Sequence, residues 1–390
     1  MVTEPTSGEC ILPYVCTDRE PATLCEKQGL ECRLFLAQAG LPLESLTADV
    51  RLGLAIVVLI VVLMGGGLGV LSVVVRRLRT SLLAEQAALR ESQAIHAELA
   101  ETYRAVQRFL PYEFLSLVGR QSIRHIKRGD ARELQLEVVF CDLRGFSGLV
   151  EGLAPREAYG LVNAYLAAVE PALHAHGGFV NQYLGDCILA LFPTGADAAL
   201  AAVTGMQRAL DSFNLKRSFD GHPHLDVGFG VSGGPLMLGT IGGGTRLDQA
   251  VIGHDVNLAA RLEGLTKVYG ARALVSGRCV SRLEDPSAVR LRLLDRICAE
   301  GMAEPVDVYE LVDALPAELQ RLRARTAEHF EAALQAYRAR DFSDALDGFE
   351  QCLMVDSGDL AASLYMARCR RLMVNPPGPE WRAVSLFSHK

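Results

Sequence analysis

An excess of positive charge is missing from this 390-residue chain: its formal net charge is −7, and no basic footprint for nucleic acid stands out. That argues against a nucleic-acid partner and says nothing about fold. Cysteine spacing of the kind that builds metal sites is missing too. Of the ten cysteines, Cys141, Cys187, Cys279, Cys298, Cys352 and Cys369 are scattered and read as small buried hydrophobes. Cys10, Cys16, Cys25 and Cys32 crowd into the first 51 residues, where an oxidising compartment would permit disulfides whose pairing the sequence leaves open. Nor does the composition suit wholesale disorder. Half the residues are hydrophobic and 36 are glycine, so at least one sizeable core can form, and the length suggests two or three domains.

The longest absence is of charge between Leu52 and Val75, "LGLAIVVLIVVLMGGGLGVLSVVV". As a helix this run extends roughly 36 Å, enough to cross a bilayer. A buried core helix is the competing reading; the abrupt Arg76, Arg77 and Arg79 that follow favour the span. Fifty-one residues precede it, which is too many for a cleaved signal peptide. Acidic residues outnumber basic ones in 1–51, so the expected orientation is N-terminus outside and the remainder in the cytoplasm of a single-pass inner-membrane protein. Within the span, Gly65 and Gly69 form a small-xxx-small pattern suited to close helix approach.

The resulting map is an extracytoplasmic segment over 1–51, a transmembrane helix over 52–75, a coiled-coil helix over 76–110, a connector over 111–133, a globular domain over 134–312, a helical tail over 317–373, and a C-terminal end over 374–390 that reads as a linker or mobile end. The coiled coil rests on two seven-residue seams. One runs through Leu82, Leu89, His96, Tyr103 and Leu110, the other through Leu78, Glu85, Ser92, Leu99 and Val106, and both weaken at their centre. In the tail, Tyr337, Ala345, Phe349 and Cys352 fall near the helix-pair positions of one tetratricopeptide-like unit, too little for a free solenoid and suited instead to docking on a neighbour.

The globular domain reads as α+β. A strand over 134–142 ends on Asp142, a helix covers 155–178, and "FVNQYLGDCILALF" (179–192) forms a hairpin around a Leu184–Gly185 corner. A helix over 195–213 follows, then a second hairpin over 224–244 around Gly233–Gly234, a helix over 255–269, and strands near 272–276 and 289–296. The natural packing is a sheet with its helices segregated to one face. Asp142 and Asp186 end neighbouring strands, so their carboxylates converge at one sheet edge if those strands pair antiparallel. Such a pair suits Mg²⁺, a hard cation that takes oxygen ligands, while the amides of Gly145 and Phe146 at the next turn are placed to receive phosphate oxygens. Taken alone, acids at strand ends are more often merely solvated. Asn257 and Arg261 lie four residues apart on one helix face, an amide and a guanidinium able to hold a ribose and a phosphate charge.

Together these residues resemble the class III nucleotide cyclases. The motifs "VVFCDLRGFS", "HGGFVNQYLGDCILALF", "VGFGVSGGPLMLGTIGG", "AVIGHDVNLAARLEGLTKVYG" and "EPVDVYEL" follow one another in the family's order over about 134–312, and the flanking segments are similar to those of bacterial membrane-anchored members. The resemblance implies a ferredoxin-like domain working as a head-to-tail homodimer, with ATP or GTP as substrate. Asp142, Leu143 and Asp186 would form the metal set for two Mg²⁺ or Mn²⁺ ions per site, and Asn257 and Arg261 would come from the partner subunit. The chain departs from the family in three places, the last of them covering two residues. Gln182 and Ala250 stand where a Lys and an Asp or Thr usually read the purine. The carboxamide of Gln182 can both donate and accept, so weak base discrimination is expected. Glu300 and Met302 replace a phosphate-contacting "KGK", and Arg246 is the candidate to compensate. The expectation is an active but atypical cyclase forming 3′,5′-cyclic AMP and pyrophosphate. The alternative is a silent cyclase-like receptor that binds nucleotide or a partner, and the tail's partner is not readable.

Overall fold

The computed structural model of the protein describes residues 68–107, 109–299 and 304–387, with isolated positions between 52 and 60. The chain divides into two compact units, Met1–Phe109 and Leu110–Lys390. In the first unit the main described element is one continuous helix, α1 (Leu68–Gln107), which includes most of the expected coiled-coil segment. Its seam is open to solvent, with Leu82, Leu89, Leu99 and Tyr103 between 36% and 51% exposed. Of the span expected over 52–75, positions 54–55, 57–58 and 61–67 lie outside the described residues; among those described, no helix is long and apolar enough to cross a membrane.

The second unit is built on a nine-stranded sheet. In chain order it contains α2 (Tyr112–Leu117), β1 (Ala131–Leu143), α3 (Phe146–Val150), α4 (Pro155–Ala175), β2 (Phe179–Leu184), β3 (Cys187–Phe192), α5 (Ala196–Phe219), β4 (Val227–Gly242), β5 (Leu247–Ile252), α6 (His254–Tyr269), β6 (Ala273–Ser276), α7 (Gly277–Val280), β7 (Leu291–Ala299) and β8 (Val306–Leu311). Helices α8 (Ala317–Arg338), α9 (Phe342–Val355) and α10 (Leu360–Val374) and a short β9 (Ser385–Phe387) complete it. The sheet order is β2-β3-β1-β4-β6-β8-β7-β9, and β5 pairs with the outer half of β4.

The central strand β1 is buried on both faces from Leu136 to Cys141, which requires cover on both sides. Val139, Cys141 and Leu143 join the core beneath α4 and α5, with Tyr165, Leu173, Val203 and Met206. Leu136, Val138 and Phe140 face the other way, toward Phe114 of α2 and Val256 and Ala259 of α6. The helices are therefore not segregated to one face as expected, because a strand apolar on both faces cannot leave one of them wet.

The second correction concerns β4. No hairpin forms at Gly233–Gly234; the strand runs unbroken from Val227 to Gly242 and pairs with β1 along its length. The reversal comes later, between β4 and β5. The glycines serve close approach instead. A Cβ on Gly233 would lie 2.0 Å from Glu137 Oε2, and one on Gly234 would lie 2.5 Å from Asp255 Oδ2. Gly228, Gly230, Ser232 and Gly234 alternate along one face of β4, and α6 lies directly on that strip: a Cβ at Gly230 would stand 2.0 Å from the Ala259 carbonyl oxygen and 2.3 Å from the Glu263 nitrogen.

The tail docks on the nine-stranded sheet and α6. Phe330, Tyr337, Ala345, Phe349, Cys352 and Tyr365 share one core with Leu258, Leu262, Leu265 and Tyr269 of α6 and with Leu274, Leu294 and Ile297 of the sheet. Nor is the segment after α10 a free end. Arg340 donates to the carbonyls of Gly378, Pro379 and Trp381, the Trp381 ring packs against Tyr337 and Phe342, and β9 pairs in parallel with β7.

Because α6 touches bare backbone at β4, Gly230→Ala should cost about 3 kcal/mol, the upper end of overpacking penalties. Chemical denaturation should show it as a lower midpoint at unchanged slope; an unaltered midpoint would mean that α6 has room to lift.

Candidate active site

The turn between β2 and β3 is made by Gly185, in the left-handed region at φ 72°, and Asp186, with Leu184 paired to Cys187. The corner thus lies one residue further on than expected. Antiparallel pairing of β1 with β3 runs up to Cys141 opposite Ile188. This places Asp142, on the next residue of β1, beside the turn that carries Asp186. The two acids share one field. The Asp142 carboxyl is pushed above the usual carboxylate range by burial and then by the charge of Asp186, with Lys267 partly offsetting both. No described side chain forms a hydrogen bond or ion pair with either carboxylate. Leu143 points the opposite way, into the core beneath α4 and α5, so it could offer a cation only its carbonyl oxygen.

A third acid escaped the sequence reading. Glu263 is raised to about 7 by burial and then by Asp142, with Lys267 and Arg144 acting in the opposite sense. Its Oε1 is buried without a hydrogen-bond partner. The local sequence "AARLEGLTK" reads as an exposed polar face. The signal that marks Glu263 is its helical spacing from Val256, Ala259 and Thr266, the side that lies on β4. Cys187 lies in the same field, and burial followed by the Asp142 charge pushes its thiol up to about 12, which leaves it a poor nucleophile.

Among the described residues no group of three His, Cys, Asp or Glu side chains forms a complete metal cage. The donors nevertheless fit Mg²⁺ or Mn²⁺. Asp142 and Asp186 are hard oxygen ligands that repel each other and form no ion pair with a described basic side chain, and Mg²⁺ sites commonly use one or two carboxylates and fill the shell with phosphate oxygens. Gly145 caps the short α3 in the left-handed region, φ 66°, with open space around it. It leaves the first amides of that helix, beginning at Phe146, without intrahelical acceptors.

The remaining predicted residues do not gather around the acids of their own chain. Asn257 is exposed and Arg261 half-buried, and neither side chain has a hydrogen bond or ion pair within the described chain. Glu263 and Lys267 are the α6 residues next to Asp142. Asn257 lies six residues up the helix, about 9 Å along its axis, on a different face. Arg246 sits near the β4–β5 turn, its side chain 81% exposed and paired with Asp248 at 3.1 Å, away from the acids. Gln182 is exposed on the edge strand β2 just past an irregularity at Asn181, and Ala250 is half-buried on β5. The carboxamide of Gln249 donates to the backbone oxygen of Asn181, which ties the two strands together one residue before each of these positions. Glu300 and Met302 lie outside the described residues. A groove of about 550 Å³ between α8 and strands β7 and β8 lies elsewhere; its Arg290, Arg292 and Arg323 are already paired with Asp313, Glu310, Asp356 and Asp359, so it offers a triphosphate little free charge.

Residues 131–312 match the family model of the adenylate and guanylate cyclase catalytic domain. This domain belongs to the class III adenylate and guanylate cyclase family. An adenylate cyclase of Anabaena cylindrica is 39% identical over 240 residues, covering 60% of this chain and 47% of that protein. Adenylate cyclase 1 of Rhizobium meliloti is 30% identical over 189 residues, 47% of this chain and 28% of that one. The terminal-differentiation-specific adenylate cyclase of Dictyostelium discoideum is 27% identical over 270 residues, 68% of this chain and 13% of that one. The chain thus spans less than half the length of these relatives. The structure of a bacterial light-regulated adenylyl cyclase shares the fold, with a TM-score of 0.51 at 22% identity over 60% of this chain and 68% of that one.

The Glu263 shift has a consequence in metal-free buffer. Its folded value, about 7, exceeds the ordinary 4.5, so the folded state binds the extra proton. The stability this gives is full below about 4.5 and is lost as pH rises through 7. Discounted for partial solvation, Glu263→Gln should flatten the fall in unfolding free energy between pH 5 and pH 8 by about 1–2 kcal/mol. Parallel pH profiles for the wild type and the variant would count against it.

Proposed function

We propose that the chain is a membrane-anchored, homodimeric purine nucleotide cyclase that converts ATP to 3′,5′-cyclic AMP and pyrophosphate, with relaxed discrimination against GTP. One observation carries this reading. Asp142 and Asp186 stand together with no bonded basic side chain, while Asn257 and Arg261 lie on another face of α6 with no hydrogen bond or ion pair among the described residues. Each half is incomplete alone, and a second copy arranged head to tail supplies the missing half.

Asp142, Asp186 and the Leu143 carbonyl would hold two Mg²⁺ or Mn²⁺ ions, which when bound supply charge for the triphosphate and lower the pKa of the ribose 3′-hydroxyl. Asn257 from the partner orients the ribose through its amide. The Arg261 guanidinium of the partner meets the charge that grows on the α-phosphate as the 3′-oxygen attacks and pyrophosphate departs. The Gly145 and Phe146 amides receive phosphate oxygens. Gln182 reads the base with a carboxamide that matches adenine in one orientation and guanine in the other, and Ala250 adds no polar contact. Met237, Ile241 and Ile252 on the β4–β5 arm are 43%, 52% and 61% exposed, an apolar surface that supports a second copy. The open seam of α1 supports pairing as a coiled coil, and the uncharged 52–75 run followed by arginines supports a single-pass anchor with the domain in the cytoplasm. Glu300, where the family carries a phosphate-contacting Lys, favours the second reading, a cyclase-like receptor that binds nucleotide without turnover.

Purified full-length protein with Mn²⁺ should form cyclic nucleotide from ATP, and from GTP within about tenfold, the equivalent of roughly 1.4 kcal/mol of discrimination. Asp186→Ala should lower turnover by at least about 100-fold, the scale of losing a principal charge-stabilising group. No product from either nucleotide at concentrations that form dimers would leave the receptor reading standing.

A further inference from the structure

The tail meets the catalytic domain at a buried carboxylate that also holds the end of α6. Asp295 is 2% exposed, next to an irregularity in the β7–β8 pairing between Leu293 and Asp295. Its Oδ2 accepts three bonds: from the Tyr269 hydroxyl at 2.7 Å, from Arg368 Nη1 at 2.7 Å and from the Ser385 hydroxyl at 2.6 Å. Tyr269 is the last residue of α6, Arg368 lies on the tail helix α10, and Ser385 begins the C-terminal strand. The contact extends beyond that hub. Gly270, which caps α6 in the left-handed region, leaves room for Leu360 of α10; a Cβ there would lie 3.0 Å from it. The Tyr269 ring also meets Phe387 edge to face.

The spacing along α6 turns this into a statement about orientation. Leu258, Leu262, Leu265 and Tyr269 form one stripe, buried in the core shared with the tail. Asn257, Arg261 and Val268 lie on the next face, about 100° round the helix at 3.6 residues per turn, with Asn257 and Val268 exposed and Arg261 half-buried. Holding the first stripe against the tail fixes where the second one points.

We propose that Asp295 is a positioning residue for the catalytic face of α6, and that Arg368 of the tail acts through it to set the helix's rotation and hence the aim of Arg261 and Asn257. This rests on the two-chain cyclase reading and assigns the tail a part in the reaction. The positioning is specific to the subunit that lends α6 and does not concern the subunit that lends the aspartates.

That asymmetry gives the test. One full-length chain carries Asp186→Ala and keeps α6 intact; the other carries Arg261→Ala and keeps the acids. Neither homodimer is expected to turn over, and mixing them restores one complete site per heterodimer. Adding Arg368→Ala to the chain that lends α6 should lower kcat at least tenfold with KM for ATP changed less than threefold, and Arg368→Lys should recover part of the loss. The same change on the chain that lends the acids should cost less than twofold. Tyr269→Phe, which removes only the hydroxyl, repeats the comparison if Arg368→Ala fails to fold. Equal loss on both chains, or no loss on either, overturns the proposal. No activity from the unmodified pair overturns the two-chain reading beneath it.

Discussion

The structure depends on the close approach of α6 to β4. Van der Waals contact between a helix and a strand normally needs side chains between them. Here Gly228, Gly230 and Gly234 remove them: a Cβ on Gly230 would meet the helix backbone at Ala259 and Glu263, and Cβ atoms on Gly228 and Gly234 would meet the side chains of Glu263, Thr266 and Asp255. Ser232 finishes the contact by donating to the buried Asp255 carboxylate at 2.7 Å. With that side against the sheet and the leucine stripe against the tail, α6 has one face left for solvent, and this face carries Asn257 and Arg261. The approach also brings Glu263 into the field of Asp142, at the cost of a carboxyl that burial keeps from ionising readily.

The tail is attached by buried charge as well as by apolar packing. Arg292 of β7 bonds Asp359 at 2.5 Å and Glu310 at 3.4 Å, and its guanidinium lies 3.6 Å from the centre of the Phe330 ring. Arg323 of α8 bonds Glu310 at 3.1 Å and also pairs with Asp356. Five charges below 9% exposure are costly to desolvate, and such networks add little net stability over an apolar replacement. Removing one member is different, because the survivors stay buried and unpaired. Burial would raise the Asp359 carboxyl, yet Arg292 and Arg323 hold it below the ordinary value. The network therefore favours one register of tail on sheet, since sliding α8 by a turn would take Arg323 from Glu310 and Asp356, and sliding α10 would take Asp359 from Arg292.

How much of this was legible in the sequence follows from the range over which each signal acts. Strand β1, the β2–β3 hairpin and α6 are written in local periodicity, whereas the meeting of Asp142 with Asp186 depends on the long-range pairing of β1 with β3, which the sequence offers only as a condition. The Gly233–Gly234 pair could not be read that way. A glycine pair marks either a turn or a place of close approach, and the deciding atoms, in Glu137 and Asp255, come from elsewhere in the chain. Glu263 failed for a similar reason: an acid on a helix is ordinarily solvated, and only the bare strip of β4 beneath it shows that it is not. "NPPGPEW" has the composition of a free end, and nothing local shows that Arg340 collects three of its carbonyls.

The same distinction between local and distant control bears on substrate choice. At the two positions that the proposed function assigns to the base, a Lys and an Asp would have fixed roles, one only donating and one only accepting. Gln182 has no such fixed role, since rotating its amide exchanges donor and acceptor. What holds it is the strand beneath. Asn181 is 1% exposed with neither end of its side-chain amide partnered, in a segment where β2 loses register with β3 and Gln249 ties its backbone to β5. A buried amide without partners costs on the order of 1–3 kcal/mol, so that irregularity is not explained by stability. Gln182 follows that irregularity, exposed on an edge strand, so under the proposed function its setting would depend on how the strand is held rather than on a fixed charge.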